Sequence, residues 1–270
     1  MFKDITIGQY ISGNSLIHRL DARLKILSVF AFIILLFLIS DPIAYAIYII
    51  FTLIIVFLTK IPVKYILKGL KPMLFIIAFT VIINLFLTPG DVLWEQSLFF
   101  FTIKITLQGI KMSIIMFIRL VLLVSITSLL TLTTKPLMLT NGIEKILSPF
   151  KKFKLPAHEI AMMMSIAIRF IPTLAEETDK IIKAQKARGA DFESGNIFMR
   201  AKAMIPLLVP LFVSAFRRAD ELATAMDARC YNGGEHRTKL TQMKFNKIDY
   251  YAVFCICIFS GLLIFTEYFI

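Results

Sequence analysis

The chain has 270 residues, 58% of them hydrophobic and 25 of them phenylalanine, with a mean hydropathy of +0.78. That composition lies far outside the range of soluble globular domains. Thirty lysines and arginines stand against 18 acids. In a chain this apolar, the excess reads as the positive-inside bias of a membrane protein rather than a nucleic-acid footprint.

Three cysteines, Cys230, Cys255 and Cys257, are an odd number and argue against a disulfide framework. No histidine stands near Cys255 and Cys257, so no metal site is expected there. No cleavable signal is expected either, because the first apolar run starts near residue 26 and lacks a small-residue cleavage site.

In chain order, Ile26–Ser40 and Ile43–Thr59 are apolar runs separated by Asp41-Pro42. One continuous helix over both would reach about 51 Å, too long for a hydrocarbon core of roughly 30 Å. Asp-Pro is a turn and helix-start signal, so two spans in a hairpin are expected. Lys60, Lys64, Lys68 and Lys71 follow, and Pro72–Leu87 is a third span, ended by Thr88-Pro89-Gly90-Asp91. Trp94 and Phe99–Phe101 suit a membrane interface. The alternation Ile103-Lys104-Ile105-Thr106-Leu107 allows a short strand or extended lid. Met112–Leu132 is a fourth span and Ile248–Phe269 a fifth. Arg119 falls inside the fourth, either as a functional charge or as a side chain snorkelling to the interface.

Of the 30 basic residues, 27 fall in 1–25, 60–71 and 135–247. The N-terminus and the central charged region are therefore expected in the cytoplasm and the C-terminus outside. The expected organisation is a membrane domain over 1–134, cytoplasmic coupling helices over 135–247 and a last transmembrane helix over 248–270.

The central region is patterned as helices. Asn141–Ser148 is short. Pro156–Phe170 is apolar nearly all round and opens with His158, read as a helix-start residue. After Pro172 a helix runs to Arg188, acids early and bases late as the helix dipole favours, with Gly189 as its C′ residue. Residues 195–200 read as a connector. Residues 204–216, "MIPLLVPLFVSAF", carry no charge and are too short to span. Pro206 and Pro210 are expected to kink them, so they hug the membrane or offer an apolar groove. The helix then continues to about Arg229. Ala215, Ala219, Ala223 and Met226 form a small-residue stripe that allows a close crossing with the helix carrying Ala184 and Ala187.

Two helix ends thus repeat one pattern, Ala187-Arg188-Gly189 and Ala228-Arg229-Cys230. An arginine there is favoured by the dipole alone by about 0.3–1 kcal/mol. Twice over, it also suits charge-assisted, bidentate bonding to a partner's carboxylates.

The stretches "TTKP" (133–136), "GIEKILSPF" (142–150), "LPAHEIAMMMSIAIRFIP" (155–172), "AQKARGAD" (184–191) and "ADELATAMDARCYNGGEHRT" (219–238) resemble the T component of energy-coupling factor transporters, the EcfT/CbiQ family, of the shared-module type. The resemblance covers most of the chain and is strongest from about 120 to 240. Cys230 departs from it, standing where glycine is frequent. The resemblance implies an all-α polytopic membrane protein of about five transmembrane helices with crossed amphipathic coupling helices, in the bacterial cell membrane. It implies a non-catalytic subunit that joins two ABC-type ATPases (an EcfA-like pair) to a substrate-binding S component for vitamin uptake. It places Ala187, Arg188 and Gly189 on one ATPase and Ala228, Arg229 and Cys230 on the other. Pro206, Leu208, Val209, Pro210 and Phe212 are expected to meet the S component. No cofactor or metal is expected in this chain: ATP and Mg belong to the ATPases, and no P-loop occurs in the sequence.

Two other readings are weaker. A conventional ABC importer permease carries one coupling helix with an EAA-Gly type motif, which residues 175–185 fit poorly. A membrane-embedded enzyme would find only "HEIAM" (158–162), where a zincin needs a second histidine and Met162 stands. Nucleic acid is not expected as a partner, because the positive charges form no stripe and lack interleaved aromatics; the bilayer is.

Overall fold

The structure is a computed structural model that describes residues 10–98, 101–149, 156–192, 196–233 and 245–269. Phe99, Phe100, the start of the connector at Gly195 and the stretch 234–238 lie outside the described residues. Gln9–Gly142 and Met243–Ile270 belong to one compact unit and Ile143–Gln242 to another.

The first unit holds α1 (Leu16–Arg19), α2 (Ala22–Leu38), α3 (Pro42–Thr59), α4 (Val63–Leu70) and α5 (Leu74–Leu87). A two-stranded antiparallel hairpin follows, β1 (Val92–Leu98) and β2 (Phe101–Thr106), then α6 (Leu107–Thr133) and α10 (Lys247–Phe269). α7 (Pro136–Leu147) crosses the boundary between units. The second unit contains α8 (Ala157–Ala187) and α9 (Ile197–Asp227).

The hairpin at Asp41-Pro42 forms as its residues require. Pro42 opens α3, where a missing N–H costs nothing, and the Asp41 carboxylate accepts from the Ile43 amide at 3.0 Å as N-cap. The third span begins earlier than expected. Lys64 and Lys68 are helical, and Pro72 marks only a 3-10 turn at Lys71–Met73, so Val63–Leu87 acts as one span-length segment. α6 also starts five residues early, because Thr106 caps it by accepting from the Gly109 amide at 2.9 Å. Gly109 has to be small: a Cβ would sit 2.9 Å from the Leu85 carbonyl oxygen of α5. The extended reading of 103–107 is met by β2 over its first residues, while its partner β1 was not anticipated.

Among the described residues, five helical segments are long and apolar enough to cross a membrane: Pro42–Thr59, Val63–Leu87, Leu107–Thr133, Phe198–Asp227 and Lys247–Tyr268. α2, at 17 residues or about 26 Å, falls just short of that group. α9 joins it because Pro206 and Pro210 do not end it, which corrects the expectation that 204–216 is too short to span.

The core of the first unit lies where α2, α3, α6 and α10 meet, around Phe32, Leu36, Tyr48, Ile126, Phe259 and Leu263. Phe51 stacks on Phe259 with centroids 3.7 Å apart, and Phe32 meets both edge-on. Bonded polar groups sit at the two ends of this bundle. At one end Asp249, buried, accepts from the amides of Asp21 (2.9 Å) and Asn246 (2.7 Å). Beside it Lys25 donates to the carbonyls of Thr133 (3.0 Å) and His18 (3.3 Å) and to the Thr134 hydroxyl (3.3 Å), so a cation closes the C-terminus of α6, where the dipole favours one. Burial works against the Asp21 carboxylate, but the Arg23 guanidinium and amide outweigh it and hold its pKa down.

At the other end Arg119 donates to the Tyr45 hydroxyl (2.6 Å) and the Ile39 carbonyl (3.2 Å), the C-cap of α2. Glu267 accepts from the amides of Ser40 and Asp41 at 3.0 and 3.1 Å. The intramembrane arginine therefore fastens the α2–α3 turn. Lys25 to Ile39 and Arg119 to Thr133 are both 14 residues apart, so the two ends lie about 21 Å from each other.

Candidate functional site: two crossed helices with arginine tips

α8 and α9 are each 31 residues long. Pro172 lies inside α8 rather than starting a second helix. Pro172, Pro206 and Pro210 are all exposed, so each freed carbonyl costs one hydrogen bond at the surface rather than an orphaned group in a core.

The helices are pinned at one joint. The Glu177 carboxylate of α8 accepts from the Ser214 hydroxyl at 2.6 Å and from the Arg218 guanidinium at 2.9 Å. The Ser214 bond first, with the attraction of Arg218, holds the Glu177 carboxyl below the ordinary glutamate value. Ser214 and Arg218 stand one turn apart on the same stripe of α9 as Leu207, which is buried. Beside the joint is a cleft of about 390 Å³. Ile166, Phe170 and Leu174 line it from α8, and Ala215, Ala219, Ala223 and Met226 from α9. The small-residue stripe thus faces the earlier half of α8. Ala184 and Ala187, expected at the crossing, are exposed on the arm beyond it.

From Glu177 to Arg188 and from Arg218 to Arg229 the chain runs 11 residues, so each arm extends about 16 Å past the joint. The second arm lies along the first half of α8, which puts the two tips on opposite sides of the joint.

Both tips are built alike. Gly189 has φ +86°, its amide bonds the Lys186 carbonyl (3.0 Å), and the Ala190 amide bonds the Gln185 carbonyl (3.0 Å). Cys230 has φ +55°, its amide bonds the Asp227 carbonyl (2.9 Å), and the Tyr231 amide bonds the Met226 carbonyl (3.0 Å). Each is a Schellman end with the arginine at the C-cap and a left-handed residue after it. That geometry is why Ala-Arg-small occurs twice: the third residue must turn left-handed and leave the arginine outermost. Glycine does so freely, while Cys230 pays a left-handed penalty. Ala187, Arg188, Gly189, Ala228, Arg229 and Cys230 are all exposed, and among the described residues neither guanidinium has a side-chain or backbone partner.

On the side of α9 opposite Leu207 and Ser214, Ile205, Leu208, Val209, Phe212, Val213 and Phe216 make an exposed apolar face, with Phe212 stacked on Phe216. Leu208, Val209 and Phe212 are on it, and Pro206 and Pro210 flank it. Sequence reasoning missed Glu177 as the joint, grouping it with solvated charges. The signal available was Ser214 and Arg218 at i, i+4 on the buried stripe of α9. His158 stands in the first turn of α8, as expected, and there its Nδ1 lies 3.0 Å from Glu144 Oε1.

Helices of this length and apolarity, together with two exposed arginine-tipped helix ends, define a multi-pass membrane protein. Residues 13–240 match the family model described as cobalt transport protein, CbiQ, and the chain belongs to that family. It is 54% identical over 268 residues to the energy-coupling factor transporter transmembrane protein EcfT of Ruminiclostridium cellulolyticum, covering 99% of both chains. It is 47% identical over 268 residues to the protein of the same name from Bacillus subtilis, covering 99% of this chain and 100% of that one. The Streptococcus thermophilus protein of that name is 46% identical over 262 residues, with 97% of each chain covered.

Proposed function

We propose that this chain is the transmembrane coupling subunit of an energy-coupling factor importer, joining two ABC-type ATPases to a substrate-binding S component for uptake of a vitamin or similar micronutrient. The observation that carries the reading is the pair of matched helix ends, each presenting an exposed arginine about 16 Å from a shared joint. Arg188, with Ala187 and Gly189, docks in an acidic groove of one ATPase. Arg229, with Ala228 and Cys230, docks in the other. ATP and Mg act in those partners, and this chain contributes no catalytic group. A guanidinium suits the task because its rigid fork bonds a carboxylate in two places.

The excess of lysine and arginine in 1–25, 60–71 and 135–247 favours a cytoplasmic N-terminus and cytoplasmic arms. Closure of the ATPase pair then turns α8 against α9 about Glu177. The apolar face around Leu208, Val209 and Phe212, with Pro206 and Pro210 at its flank, transmits that motion to the S component.

The test is co-purification. Arg188→Glu and Arg229→Glu are each expected to reduce recovery of the ATPases while leaving membrane insertion intact. Val209→Asp is expected to keep the ATPases but abolish uptake. Undiminished ATPase recovery with both arginine variants refutes the docking role.

A further inference from the structure

The bundle unit contains a slot of about 360 Å³ that the coupling function does not use. Its back wall is Lys25, Phe32, Ile126 and Leu129, all buried. Its open side is framed by Ile54 and Leu58 of α3 and by Tyr251 and Cys255 of α10, all exposed. The Phe51–Phe259 stack closes one end, and Leu16 and Ile17 of α1 with Leu20, its C-cap, roof the other.

The lining covers Lys25 to Phe32, Phe51 to Leu58, Ile126 to Thr133 and Ile248 to Ile256. On each helix that is a rise of seven or eight residue steps, so the slot is about 10–12 Å deep. One leaflet of a bilayer is about 15 Å thick in its hydrocarbon. The slot therefore has nearly the reach of one leaflet.

The medium outside the gap decides what enters. α3 and α10 are span-length apolar helices, so the gap between them opens to acyl chains, not to water. Leaving it empty would forfeit the contacts of its whole lining. Basic residues adjoin the lining in sequence: Arg19 precedes Leu20, Lys60 follows Leu58 by two residues and Lys247 precedes Ile248, and all three are exposed. The nearby acids are already engaged: Asp249 accepts two backbone amides, and Asp21 takes Arg23. Lys25 itself is satisfied by three oxygens, so it lends its stem to the wall and not its charge to a ligand.

We propose that the slot between α3 and α10 binds one acyl chain of an anionic phospholipid, whose headgroup lies against Arg19, Lys60 and Lys247 in the leaflet that holds the N-terminal ends of α2 and α10. The lipid completes the wall where α3 and α10 diverge, and the bundle keeps it as a fixed component rather than as exchanging solvent.

The test uses the full chain in vesicles of equal phosphatidylglycerol and phosphatidylcholine, released into native mass spectrometry. The wild type is expected to retain one phospholipid, enriched in phosphatidylglycerol. Ala252→Phe and Cys255→Phe, which fill the slot from α10, are each expected to lose it. Cys255 is exposed and tolerates the change even where the first variant fails to fold. The triple variant R19Q/K60Q/K247Q is expected to retain one lipid with its headgroup preference reduced, by up to about fivefold for each charge removed. A wild type that emerges without phospholipid, or slot-filled variants with undiminished retention, overturns the site. Equal retention of the two lipids overturns the anionic assignment. Protection of Cys255 from maleimide by a second polypeptide rather than by lipid would show that the slot is a protein interface and overturns the proposal.

Discussion

Replacing Glu177 with alanine should loosen the crossing of α8 and α9 without unfolding either helix. The carboxylate makes two bonds, to Ser214 at 2.6 Å and Arg218 at 2.9 Å. A hydrogen bond to a charged group contributes about 1.5–3 kcal/mol net when buried. The Glu177 side chain is 25% exposed and that of Arg218 35%, so the ion pair belongs nearer the surface range of about 0–1 kcal/mol. Together the joint holds by about 2 kcal/mol. Glu177→Gln keeps a weaker, uncharged bond and should lose about half of that.

The readout is a pulsed electron–electron distance between spin labels on Cys230 and on Ala184→Cys, in a background where Cys255 and Cys257 are serine. Wild type should give one narrow distribution, E177Q a broader one and E177A the broadest. The same joint sets a pH dependence. The folded-state pKa of Glu177 is depressed, so its contribution is present above the ordinary glutamate range, about pH 4, and is lost as the pH falls through the folded value. The wild-type distribution should therefore broaden only in acid, and E177Q should be insensitive there. Equal widths for wild type and E177A at neutral pH would refute the assignment of the joint.

The helix ends make a paired prediction. Cys230→Gly should remove the cost of a left-handed residue, stabilising that end by about 1 kcal/mol, and Gly189→Ala should weaken its own end by a similar amount. Hydrogen exchange at the Tyr231 and Ala190 amides reads both: slower at Tyr231 in the first variant, faster at Ala190 in the second. Asp249→Ala leaves the part-buried amides of Asp21 and Asn246 without their acceptor and should lower stability in detergent by about 1–3 kcal/mol, measured as a loss of thermal midpoint. An unchanged midpoint would mean that water replaces the carboxylate.

Much of the fold could be read where one residue type dictates local geometry. Asp41-Pro42 ends one span and starts the next because its two residues cap and open a helix. Gly189 marks a helix end because a left-handed C′ position favours glycine. The same reasoning misread Pro172 as a boundary, whereas α8 runs through it as α9 runs through Pro206 and Pro210. A proline removes one bond out of many, and at an exposed position within a 31-residue helix the remaining bonds and the packing of Leu207 and Ser214 prevail. The strand β1 was hidden because Val92–Leu98 lacks a clean alternation, and pairing with β2 defines it. The arginine tips were legible as a repeat. Their joint was not, because Glu177 has acidic and basic neighbours along α8 and only its distant partners on α9 distinguish it.

The polar groups at the two ends of the α2–α3–α6–α10 bundle carry one more consequence. Between them the interior is mostly apolar and its buried hydroxyls, Tyr48, Thr52 and Ser125, are turned inward onto backbone carbonyls, so the charged ends are what resists vertical slippage in a bilayer. Like load lines painted on a hull, Lys25 with Asp249 and Arg119 with Glu267 fix how deep the bundle floats. Apolar exchanges between those marks should alter packing without altering the draught, whereas moving either mark by one helical turn should tilt or sink the whole unit by about 5 Å.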